Sequence, residues 1–402
     1  MRQATHGRKR HFMDYFAKKF LDSKSDELKA IRLKSDVPRI CSKIFALFAF
    51  VMFMPGCETN GSELRITGEN TQTPVQAELV HGTLFVISAF VNDSMSLDML
   101  VDTGAAETYV PAGIFGNAGG KVLISSLCLE NDICFENFSA QSSDSAFTQS
   151  TVGYFNGIVG MNLLKNFDIT FDYKNQLIYF YDTIENLSAD VVLIPFNYES
   201  GRPFTNVSIE GLSQGDNLLD TGAAFTRITS QMLDSLVQEP DVLFESIVFN
   251  LNGSEVVEYL PLTDYCLGSA CPGEVIAQVA AWPAVGGTFF REYLTIFKFS
   301  EKVINLKPYT DRSHIVESGL QRMGLQVNIY DASDIIYVNE GSLAWEGGLI
   351  EGDAILSVNG IAIDSLGYFG IYELLGDIAI IEYQFLIRTP EGDVEQVIVV
   401  AY

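Results

Sequence analysis

Positive charge is scarce along most of this chain. Of its 25 Lys and Arg residues, 12 lie before position 57, beside only 5 of its 51 Asp and Glu. The remainder holds 13 basic and 46 acidic side chains, a net of −33. Such a field repels phosphate backbones and argues against nucleic-acid binding through a basic patch; adaptation to a salt-rich habitat would leave the same imprint. Histidine is scarce too, with only His81 and His314 beyond the first 56 residues, so little is available for a His-based metal centre. No phosphate loop or dinucleotide fingerprint occurs, and neither a metal nor a cofactor is expected. Charged residues are 19% of the chain and hydrophobic ones 48%, a globular composition rather than a disordered one. At about 150 residues per domain, 402 residues suggest two or three domains.

The basic start leads through Arg39 and Lys43 into an apolar run, Ile44 to Met54, closed by Pro55-Gly56-Cys57. Eleven apolar residues are too few to span a bilayer as a helix, so residues 1–56 read as an extension with an export signal. The Gly-Cys ending resembles the box of bacterial lipoproteins, although Pro55 and the long preceding segment depart from it. The resemblance makes Cys57 the lipid-modified residue and implies attachment to the bacterial cell envelope. Cys41 leaves with the signal. The four remaining cysteines form two close pairs, Cys128 with Cys134 and Cys266 with Cys271, which export makes plausible disulfides. Neither pair has the two-residue gap of a zinc knuckle.

After a polar linker at 57–73, short runs rich in β-branched and aromatic residues predict strands at Leu84–Val91, Leu97–Val101, Phe167–Tyr173, Leu177–Tyr181, Val191–Phe196 and Phe204–Ile209. An internal repeat organises them. One copy runs from Leu84 through Val101-Asp102-Thr103-Gly104-Ala105-Ala106-Glu107-Thr108 to Gly157-Ile158-Val159-Gly160, then Phe167 to Phe171. The other runs from Phe204 through Leu219-Asp220-Thr221-Gly222-Ala223-Ala224-Phe225-Thr226 to Ala284-Val285-Gly286-Gly287, then Tyr293 to Phe297. One Asp-Thr-Gly is weak, because Asp favours turns after strands. Two copies of Asp-Thr-Gly-Ala-Ala-x-Thr in units of matching order carry far more weight.

Each motif ends an apolar strand in a sharp turn where glycine permits close backbone approach. Two such loops, face to face, would hold two carboxylates around one water. Like charges that close cannot both ionise, so the pair keeps one proton over a broad pH range. The ionised carboxylate can then take a proton from the water while its protonated partner hydrogen-bonds the carbonyl under attack. A rival string, Gly211-Leu212-Ser213-Gln214-Gly215, fits a serine nucleophile elbow but lacks the following helix that motif requires.

The repeated motif resembles the aspartic peptidases of the pepsin and retropepsin kind over roughly Thr73 to Asp311. The resemblance implies a mainly β, bilobal fold with lobes at 74–190 and 191–311, acting on peptide or protein substrates. It makes Asp102 and Asp220 the catalytic pair, Thr103 and Thr221 interlocking hydroxyls, Gly104 and Gly222 the loop glycines, and Gly160 and Gly287 members of the supporting loops. Ala105 and Ala223 stand where pepsins commonly have Ser or Thr, as in retropepsins. Losing two hydroxyl donors should leave the dyad less acidic and raise the pH optimum. Ser142 to Phe155 is the candidate flap. Pairing of the lobes between two chains is the alternative to pairing within one.

In the third region, 318–402, Gly341-Ser342-Leu343-Ala344, Gly348-Leu349, Gly352-Asp353 and Val358-Asn359-Gly360 predict a short helix, a turn and a strand in quick succession. Tyr368–Leu375 reads as a helix, and Ile380–Ile387 with Val394–Ala401 as closing strands. The string resembles a PDZ domain, a small β/α module. Met323-Gly324-Leu325-Gln326 would be its carboxylate-binding loop, taking the C-terminal end of a peptide; a purely packing role is the alternative. The whole chain is thus expected to be an exported, lipid-anchored aspartic endopeptidase with a peptide-binding module, or an inactive exported scaffold lipoprotein.

Overall fold

The computed structural model describes residues 64–400 except 69–72, 93–94, 113, 116–118, 144–154, 182–190, 238–239, 251–252, 313–314, 316–322, 329–330 and 377–378. The export segment, Cys57, most of the linker and most of the 142–155 loop lie outside the described residues. All described residues belong to one compact unit, Gly61–Tyr402.

Strands dominate, as the runs of β-branched and aromatic residues imply. Leu84–Val91 pairs antiparallel with Met95–Val101, with Val86 opposite Leu100. Gly157–Val159 then lies parallel to Met95–Val101, and Tyr109–Pro111 runs antiparallel to it. The same order of pairings occurs again. Arg202–Ile209 pairs with Leu212–Leu219, Ala284–Val285 lies parallel to the latter, and Thr226–Ile228 meets it antiparallel. Glu210 and Gly211 both have positive φ, as a two-residue hairpin turn demands, so Ser213 sits inside a strand and the elbow reading fails.

Each set ends in a four-residue helix, Met161–Leu164 or Gly287–Phe290, followed by a strand. Those two strands, Asp168–Asp172 and Tyr293–Lys298, pair with each other, Asp168 opposite Lys298. They form the centre of a six-stranded sheet that also contains Val192–Pro195 and Val303–Pro308, so the sets are joined by hydrogen bonds. Phe171, Phe290 and Phe297 are fully buried there, with Phe171 and Phe297 edge to face at 5.8 Å. Burying one such ring is worth roughly 1.5–3 kcal/mol. Disulfides join Cys128 to Cys134 and Cys266 to Cys271, the first across the hairpin of Lys121–Leu129 with Cys134–Ser143.

The third region has its own sheet, in which Leu325–Asn328, Asp331–Val338, Ala354–Val358, Glu382–Arg388 and Val394–Val400 are neighbours in that order. Its own core includes Leu325, Ile335, Ile355, Ile371, Tyr383 and Phe385. Ser342 caps Leu343–Gly347 by accepting from the Trp345 amide at 3.3 Å, and Gly348 ends that helix in the left-handed conformation. The helical span Ile363–Gly376 is broken by non-helical backbone at Gly367, and the helix predicted from Tyr368 starts directly after that break. Among the described residues no helix is long and apolar enough to cross a membrane.

Candidate active site

Asp102 and Asp220 each follow the buried end of a strand, and each is fixed by its own amide. Asp102 N donates to Val159 O at 3.1 Å, and Asp220 N to Val285 O at 2.9 Å. The two loops meet. Thr103 Oγ1 donates to Leu219 O at 2.7 Å and accepts from Thr221 N at 3.1 Å. Reciprocally, Thr221 Oγ1 donates to Val101 O at 2.8 Å and accepts from Thr103 N at 3.0 Å. Both threonines are fully buried, so these four bonds work without competition from water.

This lock brings the carboxyl groups of Asp102 and Asp220 into hydrogen bonding with each other. Gly104 N and Ala105 N donate to Asp102 Oδ1 at 2.7 and 3.1 Å, whereas only Gly222 N, at 3.0 Å, does so for Asp220 Oδ1. A Cβ on Gly104 would stand 2.3 Å from Asp220 Oδ1, and one on Gly222 2.3 Å from Asp102 Cγ. Glycine is required for the opposite carboxylate to fit, rather than for its own torsions. Ala223 is buried and Ala105 half-buried, so neither brings a hydroxyl to the pair. Burial first, then the charge and hydrogen bond of Asp220, hold the Asp102 carboxyl well above the usual carboxylate range, against the two amides that lower it.

The supporting loops require one correction. Gly160 N donates to Thr108 Oγ1, and its counterpart by geometry is Gly286, whose N donates to Thr226 Oγ1, both at 3.2 Å. Each of these glycines caps its four-residue helix, whereas Gly287 is the first helical residue and corresponds to Met161. Gly287 N and Met161 N donate to Ala223 O and Ala105 O, both at 2.8 Å. The two consecutive glycines leave the register ambiguous in sequence; the hydrogen bond to the motif's final threonine fixes it.

Sequence reasoning missed Arg227. Its Nη1 lies 3.9 Å from Asp220 Oδ2, and its side chain is 28% exposed. The signal was present, because seven residues after each Asp the two copies differ, Tyr109 in one and Arg227 in the other. Beside the second loop, Phe225 packs against Tyr259 with ring centroids 4.7 Å apart. Tyr259 belongs to the hairpin Phe244–Asn250 with Gly253–Leu262.

In the third region, Met323 and Leu325 point into the core and Gln326 is also buried. Gly324 has φ +67°, and a Cβ there would strike Ser342 Cβ at 2.2 Å. Gly324 O accepts from Asn339 N at 2.7 Å. Residues 335–400 match the PDZ domain family, so the chain carries a PDZ domain, preceded in its sheet by Leu325–Asn328. No curated protein matches the chain.

Proposed function

We propose that the chain is an aspartic endopeptidase whose two pseudo-symmetric lobes, within one polypeptide, hold a water between Asp102 and Asp220. The observation that carries this reading is the reciprocal threonine lock, which sets the half-buried Asp102 and the buried Asp220 side by side at the ends of equivalent strands. One carboxylate takes a proton from the water, whose oxygen attacks the peptide carbonyl, and the protonated partner hydrogen-bonds the carbonyl oxygen. With alanine at positions 105 and 223, the dyad should work best at a pH above that of gastric-type enzymes. The PDZ domain gives the chain a protein-binding or regulatory role, and in this reading it presents peptide ends to the dyad.

The same proposal places the enzyme in a bacterial cell envelope, exported and held by lipid on Cys57. One set of variants tests both parts. Asp102→Asn and Asp220→Asn should each lower cleavage of a peptide library by on the order of 10³-fold, with pepstatin blocking the native protein. Cys57→Ser should move the protein from the membrane to the soluble fraction. Equal cleavage by native protein and both Asp variants would sink the peptidase reading. It would leave the second one, an inactive exported scaffold lipoprotein that binds peptides through its PDZ domain, a module both readings share.

A further inference from the structure

The dyad's two halves are not equivalent. Seven residues after Asp102 stands Tyr109, whereas seven residues after Asp220 stands Arg227, with Nη1 3.9 Å from Asp220 Oδ2. At that distance the guanidinium acts as a charge rather than a hydrogen-bond donor. Among the described residues it is the one cation within 4.0 Å of either Asp. Its strand, Thr226–Ile228, places it opposite Gln278 and Ala284, neither of which is charged. Other ionisable side chains on the strands and loops around the dyad are Asp98, Glu107, Tyr109 and Asp216, with His81 on the turn before Leu84–Val91 and Tyr259 one strand beyond Gln278. Glu107 is drawn off towards Lys121, 3.6 Å away.

We propose that Arg227 is a positioning residue that breaks the equivalence of the dyad, keeping the negative charge on Asp220 and the shared proton on Asp102. The inference rests on the peptidase reading for its catalytic meaning. The amides lean the other way, two at Asp102 Oδ1 against one at Asp220 Oδ1. A full charge beside a largely buried carboxylate outweighs one extra neutral N–H. Burial and the charge of Asp220 also favour a protonated Asp102.

The chemical roles follow. Asp220 removes a proton from the water, the water oxygen bonds to the peptide carbon, and Asp102 gives its proton to the carbonyl oxygen, forming a gem-diol. On collapse the C–N bond breaks and Asp220 delivers its proton to the nitrogen. Asp102 recovers a proton from a gem-diol hydroxyl, and both groups return to their starting states. No other reactant is consumed.

The test compares native protein with Arg227→Gln and Arg227→Lys, with folding checked by circular dichroism. Without the charge, the acid limb of kcat/KM should move to higher pH, lowering the rate on that side roughly tenfold while the plateau changes far less. Arg227→Lys should restore the native limb. Independently of activity, ¹³C-carboxyl spectra of aspartate-labelled protein should show the protonated signal at Asp102, moving towards Asp220 in Arg227→Gln. If the native protein cleaves peptides and neither the limb nor the signals respond to Arg227→Gln, the proposal is wrong. If it cleaves nothing while the signals still switch, the peptidase reading fails and the proton assignment stands.

Discussion

Gly160 and Gly286 have ordinary negative φ values, −101° and −110°, so torsional freedom is not why glycine stands there. Space is the reason. A Cβ at Gly160 would sit 2.2 Å from Glu107 O, and one at Gly286 2.2 Å from Phe225 O, both rigid backbone atoms of the motif loops. Neither loop can retreat, because Thr103 and Thr221 tie each of them to the other. Gly160→Ala and Gly286→Ala should therefore each cost about 3 kcal/mol, the upper part of the overpacking range, and by similar amounts. Gly273→Ala, with nothing within 4 Å of its added Cβ, should change stability by less than about 0.5 kcal/mol. Urea unfolding midpoints at constant slope measure all three. A harmless Gly286→Ala would show that the register assigned to the second supporting loop is wrong.

Much at the scale of elements was legible in the sequence. Leu84–Val91 and Leu177–Tyr181 have the predicted bounds, because both are apolar runs stopped by turn residues. What the sequence hides is pairing at long separation. Asp168–Asp172 meets Tyr293–Lys298 across more than a hundred residues, and no local pattern encodes that choice. Hydrophobic alternation says which face is buried, but not against what. The expected flap at 142–155 lies mostly outside the described residues, and the hairpin that packs beside the second loop, through Tyr259 on Phe225, is Phe244–Asn250 with Gly253–Leu262. That hairpin also touches the PDZ domain, for Tyr337 Oη donates to Glu245 Oε2 at 3.0 Å and Asn339 Nδ2 to the O of Leu243, the residue just before it, at 3.0 Å. Removing both bonds with Tyr337→Phe and Asn339→Ala should lower the opening free energy of the hairpin amides by about 1–2 kcal/mol. Hydrogen exchange would read this, with the Leu84–Val91 amides unchanged. Equal protection in the double variant would mean that the contact does not restrain the hairpin.

At the scale of the whole molecule, the acidic surface and the Asp102–Asp220 pair both oppose folding as pH rises. The surface adds self-repulsion as carboxylates ionise, 46 of them beyond residue 56. The dyad acts through linkage. Asp102 in the folded protein titrates well above the usual range, chiefly from burial, while in the unfolded chain it titrates near about 3.9. Between those two values the folded state holds a proton that the unfolded state has released. Stability from this group is therefore fully present below the unfolded value and is lost as pH rises through the folded one. Asn cannot ionise, so Asp102→Asn should remove that slope. The variant should match native protein near pH 4 and exceed it progressively at higher pH, by about 1.4 kcal/mol for each unit by which the folded value is raised. Groups remote from the dyad cancel in the difference, which is why the comparison isolates the Asp102–Asp220 pair from the surface charge. Thermal unfolding of both proteins from pH 4 to 8 provides the measurement. Parallel curves would mean that Asp102 titrates normally, and the two carboxyl groups would then not share a proton.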